Sequence, residues 1–283
     1  MKSTGDILLV VLGSQKHLRS ASLENLAASA ANCIFVDPIR INRQDRTGKI
    51  VEERLSEILL GRRLSDPELG CAITHKNACS AATLVLKDQD KIDWALFVED
   101  DADLDSHTLK DIQSELAAFD SKLPSLVTYY SPRNCASNRR MRNRNVKQPL
   151  SVSRHWSSGA VCYAVNIAGL TELLPFSVLP VDYVADWPVY YTRLKRFISN
   201  RIWVCEVEGP SSIGERYHQK IADRFIMHIR QLVNLRGLSK LYGVSIFTFV
   251  QHLIVAPLYR DASFRFSAAR LRLQDFAQGR LFK

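Results

Sequence analysis

Short apolar runs alternate with segments of helical periodicity between residues 6 and 130. Each run is rich in Val, Ile, Leu or Phe and is bounded by polar residues, which is typical of buried strands. Alternation of such strands with helices predicts an α/β fold with a mainly parallel sheet. The predicted strands are Asp6–Leu12, Cys33–Val36, Trp94–Val98 and Leu126–Tyr130, and the predicted helices are Leu18–Ala31, a helix that opens after Ser65, and Ser106–Phe119.

The pattern beyond residue 130 is less regular. Prolines at 175, 180 and 188 predict that Asp182 and Asp186 lie on loops or at a helix start. The other predictions are a loop over 131–154, a strand over Gly159–Val165, a helix over Ala168–Leu174, a strand over Arg201–Cys205 and a helical segment from about Lys220.

The helix after Ser65 has a distinct start. Ser65, Pro67 and Glu68 form a capping-box pattern with a proline in the first turn. Small residues then recur along the helix, and they permit its close approach to a sheet. They are Gly70, Cys71, Ala72, Ala78, Cys79, Ala81 and Ala82.

Four carboxylates follow the strand that begins at Trp94. They are Glu99, Asp100, Asp101 and Asp103. Open α/β sheets bind ligands beyond the carboxyl ends of their strands. Carboxylates this close repel one another unless a cation lies among them, and oxygen ligands suit Mg²⁺ or Mn²⁺ better than zinc. A solvated acidic turn is the alternative, but the position after a buried strand favours a functional site.

The net charge of +9 is unevenly distributed. From Lys220 to the end, 11 Lys and Arg stand against three Asp, a net +8, which leaves +1 for residues 1–219. Between Ser121 and Thr171 there are eight basic residues and no acid. We therefore predict an α/β domain over residues 1–219 and a basic helical extension over 220–283.

The extension contains eighteen mostly apolar residues, Leu241–Leu258. A membrane-spanning helix needs about 20 residues with few polar groups, whereas this segment includes His252 and Pro257. Two interpretations stay open: an amphipathic tail that binds an anionic membrane surface, and an ordinary helical subdomain with solvated arginines.

The chain shows no convincing signal peptide. Ile7–Leu12 is only six apolar residues long, and the acidic Asp6 precedes it. Six cysteines are scattered without a CxxC pair, which suggests a reducing compartment rather than a disulfide scaffold. The expected location is the cytoplasm.

A metal ion held by carboxylates needs an anionic partner, and diphosphates are the usual one. With a nucleotide diphosphate sugar, the ion would neutralise charge on the departing diphosphate. The Gly13-Ser14 turn after the first strand would form a wall for the nucleotide. No P-loop or GxGxxG pattern is present. Arginines of the acid-free loop could add positive charge, although a surface loop without a ligand is the alternative; they are Arg133, Arg139, Arg140, Arg142 and Arg144.

Two segments together resemble glycosyltransferase family 25, which includes lipopolysaccharide and lipooligosaccharide galactosyltransferases. Residues 68–75 (ELGCAITH) match the family's E-x-G-C-x-x-S/T-H helix, and residues 99–101 match its E-D-D turn, in the right order and spacing. Gly159–Val165, Ala168–Leu174 and Pro210–Ile213 give weaker matches. The resemblance covers residues 5–215 and leaves out the basic tail.

The resemblance implies a GT-A-like fold, a UDP-sugar donor and Mn²⁺ or Mg²⁺. Its D-x-D metal pair would be Asp101 and Asp103, with Glu99 and Asp100 beside them. Arg19 fits the arginine usually found after the first strand. Leu12 and Gly13 stand where the family often has an Asn-Leu pair, which leaves donor choice open.

An inverting transferase needs a base for the acceptor hydroxyl. Asp186 is the first candidate because its neighbour Trp187 could stack on a sugar, and Asp182 is the alternative. His218 or His155 could complete the metal shell. His75 belongs to the helix motif, where packing is the expected role.

The function predicted from the sequence is transfer of a hexose from a UDP-sugar to a lipopolysaccharide-type glycan or glycolipid, with inversion, and galactose is the expected hexose. A non-catalytic module that binds anionic membrane or nucleic acid is one alternative. The basic loop lacks the interleaved aromatics of a single-strand platform, so nucleic acid is not an expected partner. A metal-dependent hydrolase is the other alternative.

Overall fold

The computed structural model describes residues 7–16, 18–46, 50–89, 92–119, 122–130, 149–152, 159–183, 185, 188–207 and 221–250. The strands are β1 (Ile7–Leu12), β2 (Cys33–Val36), β3 (Trp94–Glu99), β4 (Ala102–Asp103), β5 (Ser125–Thr128), β6 (Leu150–Val152), β7 (Cys162–Asn166), β8 (Lys195–Ser199) and β9 (Cys205–Glu206). The helices are α1 (Ala21–Ser29), α2 (Glu53–Leu60), α3 (Asp66–Lys87), α4 (Ser106–Ala117), α5 (Ile167–Ser177), α6 (Ile221–Tyr242) and α7 (Ile246–Val250).

Seven strands form one sheet in the order β2-β1-β3-β7-β5-β8-β6. β1 is parallel to β2 and β3, and β5 is parallel to β8. β7 is antiparallel to both β3 and β5, and β6 is antiparallel to β8. Five strands therefore run in one direction, which confirms the predicted mainly parallel α/β sheet and is consistent with a GT-A-like fold.

Residues along β1 alternate between the two faces of the sheet, as strand geometry requires. Leu8 and Val10 pack in a core with residues of α3, α5 and α6. Leu9 and Val11 pack in a second core with residues of α1 and α4. The sheet is thus covered on both faces, which explains the continuous apolar runs of its strands.

The strand expected at Arg201–Cys205 is wrong. The sheet strand of this region is β8, which ends at Ser199, and only Cys205 of the expected run is in a strand. Ile202 and Val204 are nevertheless buried. An apolar run predicts that its side chains are buried but not that its backbone pairs in a sheet. Here the side chains are buried by packing beside the sheet.

Helix α3 begins as predicted and makes an unusually close contact. The Ser65–Glu68 capping box is present, which confirms that prediction. A Cβ on Gly70 would lie 2.2 Å from the carbonyl oxygen of Ile39, and the Oγ1 of Thr74 accepts a hydrogen bond from the Ile39 amide at 3.0 Å. Gly70 therefore allows α3 to touch the backbone of the segment after β2.

Helix α6 packs into the same core as the sheet. Leu238 and Tyr242 are buried among the residues that cover β1, and Nε2 of Gln231 donates to the carbonyl oxygen of Leu59 at 2.8 Å. The domain boundary after residue 219 stays a prediction. Within the described ranges, every helix is too short or too polar to cross a lipid bilayer.

The cysteines are not all thiols. Cys33, Cys71, Cys79 and Cys162 are free, whereas Cys205 is disulfide-bonded. The suggestion of a set of reduced, unpaired cysteines is therefore wrong for Cys205.

Candidate functional site

The four clustered carboxylates lie at the carboxyl edge of the sheet. Glu99 is the last residue of β3 and pairs in register with Leu12, the last residue of β1. Asp100 and Asp101 form the turn into β4, and Asp103 ends β4. We call residues 99–103 the acidic turn. Its place at the ends of two parallel strands is the position at which open α/β sheets bind ligands.

Gly13 lies directly against the acidic turn. A Cβ at this position would lie 2.7 Å from the Cβ of Asp100 and 3.2 Å from Cδ2 of Leu18. The amide of Gly13 donates to the carbonyl oxygen of Val36 at 3.1 Å, which fixes the backbone after β1. Any larger residue would push the acidic turn away from β1.

The segment between β1 and α1 binds the acidic turn through several groups. The amides of Arg19 and Ser20 donate to the carbonyl oxygen of Asp100 at 3.0 and 3.2 Å. Nη1 of Arg19 lies 3.0 Å from Oδ2 of Asp101. The hydroxyl of Ser22 donates to Oδ1 of Asp103 at 2.8 Å, at the start of a helix where negative charge is favourable.

Asp101 carries an unsatisfied buried oxygen. Its Oδ1 has no hydrogen-bond partner in the described part of the chain. Burial raises the pKa of Asp101 to about 6, and the charges of Glu99, Asp100 and Glu206 add to this, while Arg19 opposes it. Burial also raises the pKa of Asp100. The acidic turn therefore holds more negative charge than Arg19 alone compensates.

Glu206 joins the acidic turn from a distant part of the chain. β9 pairs with β4 in antiparallel fashion, which places Glu206 opposite Ala102. The hydroxyl of Tyr130 donates to Oε1 of Glu206 at 2.9 Å. No local sequence pattern predicts this contact, because β9 is only two residues long.

His75 connects the helix motif to the acidic turn. Its Nε2 lies 3.2 Å from Oε1 of Glu99, and its Nδ1 lies 2.9 Å from the hydroxyl of Tyr163. Burial would lower the pKa of His75, but hydrogen bonds to Cys71 and Glu99 outweigh burial and raise it to about 10. His75 therefore makes polar contacts in addition to the packing expected from the sequence. The sequence signal for these contacts was the four-residue spacing of Cys71 and His75, which places both side chains on one face of the helix.

Asp182 lies in a cavity next to His75. Both residues line a small cavity together with Lys76, Tyr190 and Tyr191. The hydroxyl of Tyr242, in α6, donates to Oδ2 of Asp182. Burial raises the pKa of Asp182, while the bond from Tyr242 and the charge of Lys76 oppose the shift.

The structure brings together seven of the residues singled out in the sequence. They are Leu12, Gly13, Arg19, Glu99, Asp100, Asp101 and Asp103. Asp182 lines a cavity with His75, which in turn contacts Glu99. Asp186, Arg133 and His218 lie outside the described residues, as do His155 and Trp187.

Comparison with protein families gives one match. The family model described as glycosyltransferase family 25 (LPS biosynthesis protein) matches residues 6–183, well over half of the chain. A search of curated proteins finds no match. The matched range contains β1, the α3 motif and the acidic turn, and it confirms the resemblance noted in the sequence.

Proposed function

The chain belongs to glycosyltransferase family 25, and on that basis we propose that it transfers a hexose from a UDP-sugar to a lipopolysaccharide-type acceptor with inversion. Galactose is the proposed hexose, and Mn²⁺ or Mg²⁺ is the proposed cofactor. Glycosyl transfer and the link to lipopolysaccharide biosynthesis follow from the family. The identity of the donor, the requirement for a metal ion and the inversion at the anomeric carbon are what we propose in addition.

The observation that carries the metal proposal is the buried Oδ1 of Asp101, which lacks a hydrogen-bond partner among the described residues. A buried, unpaired carboxylate oxygen is costly, and a hard cation would satisfy it. Asp101 and Asp103 are the proposed ligands, with His218 as a further candidate. When bound there, the ion would offset the negative charge that builds up on the departing diphosphate.

Protein groups around the acidic turn have their own proposed roles. Arg19 holds Asp101 in place and adds positive charge on the side of β1. Leu12 and Gly13 end the first strand beside Asp100 and would form the nucleotide wall. Glu99 and Asp100 complete the donor side, and Arg133 is a further proposed contact to the diphosphate.

Of the two candidate bases for the acceptor hydroxyl, the structure describes Asp182. Tyr242 binds Oδ2, so that Oδ1 is the atom that would accept the proton of the acceptor hydroxyl. His75, which lines the same cavity as Asp182, contacts Glu99 of the acidic turn. Asp186, the first candidate base from the sequence, lies outside the described residues and stays a proposed base as well.

We also propose that α6 and α7 lie against an anionic membrane surface, which would keep the enzyme beside a lipid-linked acceptor at the cytoplasmic face. α6 contains one acidic residue, Asp223. Apolar and basic side chains are exposed on the two helices, a combination that suits an anionic bilayer. They are Ile229, Arg230, Leu232, Val233, Arg236, Lys240, Ile246 and Phe247. Co-flotation with anionic but not zwitterionic vesicles, and its loss in Val233→Glu, would support this placement.

Two experiments test the proposed reaction. A thermal-shift screen of UDP, GDP and CMP sugars, with and without Mn²⁺, should show stabilisation by UDP-sugars that requires the metal. In a transfer assay, EDTA should abolish turnover and Mn²⁺ should restore it, and NMR of the product should show an inverted anomeric centre.

Asp101→Asn provides the matching variant. It should abolish transfer and leave the circular dichroism spectrum unchanged, whereas Asp88→Asn, at an exposed helix end, should transfer normally. Full activity of the Asp101 variant would remove the acidic turn from the mechanism. Full activity after EDTA treatment would refute the proposed requirement for a metal ion.

A further inference from the structure

We propose that Cys71, His75 and Glu99 form a second metal site, selective for a thiophilic divalent ion such as Zn²⁺. Each residue offers one ligand atom, and the three atoms lie within 4.8 Å of one another. This is the one such group found in the described part of the chain. The proposal rests on these three residues and does not depend on the proposed transfer reaction.

The backbone places the three ligands on facing surfaces. Cys71 and His75 are four residues apart on α3 and so lie on one face of that helix. Glu99, at the end of β3, faces them, and its Oε1 lies 3.2 Å from Nε2 of His75. A tetrahedral zinc with bonds of about 2.0–2.3 Å holds its ligand atoms roughly 3.5 Å apart. Small side-chain rotations would therefore close the site.

The imidazole of His75 is oriented from behind. Its Nδ1 lies 2.9 Å from the hydroxyl of Tyr163, and the two rings are stacked with centroids 5.8 Å apart. Tyr163 in turn stacks on Phe97. A metal-binding histidine commonly has its second nitrogen held in this way, which directs the other nitrogen at the ion. In His75 this arrangement directs Nε2 toward Glu99.

The donor set selects the type of ion. Sulfur, nitrogen and one carboxylate oxygen suit zinc better than magnesium or manganese. Cys71 is a free thiol, and both Cys71 and Glu99 are partly exposed, so an ion can reach them. Three protein ligands leave the fourth tetrahedral position for water or another ligand. This composition sets the site apart from the oxygen-only pair of Asp101 and Asp103.

Cobalt titration of the full-length, tag-free, metal-stripped protein tests the site. One equivalent of Co²⁺ should give a thiolate-to-cobalt charge-transfer band and intense tetrahedral d–d bands, and Zn²⁺ should displace both. Cys71→Ser should lose the charge-transfer band. Cys33→Ser removes another partly buried free thiol and should keep it, as should Asp101→Asn. The last variant separates failure of this site from failure of the proposed transfer site.

Alkylation of the unmodified protein provides a readout that needs no variant. Zn²⁺ should protect Cys71 from iodoacetamide, as measured by peptide mass spectrometry, whereas Mg²⁺ at the same concentration should not. Absence of the charge-transfer band, its persistence in Cys71→Ser, or alkylation of Cys71 at the same rate with and without Zn²⁺ would show a hydrogen-bonded cluster only and would overturn the proposal.

Discussion

The hydroxyl of Tyr242 donates a hydrogen bond to Oδ2 of Asp182, 60 residues earlier in the chain. Tyr242 is the last residue of α6, and Asp182 is the proposed base. The bond therefore connects the basic C-terminal region to the cavity beside the candidate site.

Tyr242→Phe should lower the free energy of unfolding by about 1–3 kcal/mol, because it leaves a partly buried carboxylate with one partner fewer. Urea denaturation measures the loss. The matched comparison is the same substitution in an Asp182→Ala background, where no carboxylate is left unpaired and the loss should shrink. An equal loss in both backgrounds would contradict the pairing.

Gly70→Ala should be destabilising by about 1–3 kcal/mol, since its Cβ would lie 2.2 Å from the Ile39 carbonyl oxygen and the backbone would have to move. Gly237→Ala is the control. Gly237 is also inside a helix, but a Cβ there meets nothing within 4 Å, and the substitution should stabilise by about 0.5–1 kcal/mol through helix propensity. If the urea midpoints of both variants shift in the same direction relative to the parent protein, the close approach of α3 to Ile39 is contradicted.

Gly13→Ala should impair transfer more than stability. The added Cβ, 2.7 Å from that of Asp100, would displace the acidic turn, and misplacement by about 1 Å can cost roughly 100-fold in rate. The ratio kcat/KM for the UDP-sugar and the thermal shift on donor binding should both fall. The Gly237→Ala protein should match the parent in both measurements, and parental activity in Gly13→Ala would refute the steric argument.

Glu115→Gln should change how stability depends on pH. Glu115 is buried, and burial raises its pKa to about 7 from an ordinary value of 4.5. The folded state therefore holds this proton more tightly than the unfolded state does, so that stability falls as pH rises from about 4.5 to about 7. The variant should lack that decline and be more stable than the parent at pH 8, by on the order of 3 kcal/mol at most.

Urea unfolding at pH 5 and pH 8 checks the Glu115 prediction. Asp88→Asn, which changes an exposed acid, should follow the parent curve at both values. If the parent and Glu115→Gln lose the same stability between the two pH values, the carboxyl of Glu115 is ionised in the folded protein throughout that range.

Local patterns predicted the parts of the fold that depend on neighbouring residues. The apolar run of β3, the capping box at Ser65 and the acidic turn are each contained in a few consecutive positions. Their placement at the sheet edge then followed from the general behaviour of parallel strands. The roles of the individual carboxylates stay predictions.

Features that depend on distant pairing were not predictable in this way. The antiparallel direction of β7 depends on its partners β3 and β5, and an apolar run looks the same in either direction. Glu206 reaches the acidic turn through a two-residue strand. The contact between His75 and Glu99 joins two motifs whose relative orientation only the packing of α3 on the sheet determines.

The packing of α6 has a consequence for protein synthesis. Gln231 donates to the carbonyl oxygen of Leu59, 172 residues earlier, and Tyr242 reaches Asp182 from the same helix. A nascent chain that has emerged only as far as β9 has all seven strands of the sheet but lacks these contacts. Part of the core of the α/β domain therefore stays exposed on the ribosome until α6 has been synthesised. During that time the exposed apolar residues would be a binding site for chaperones.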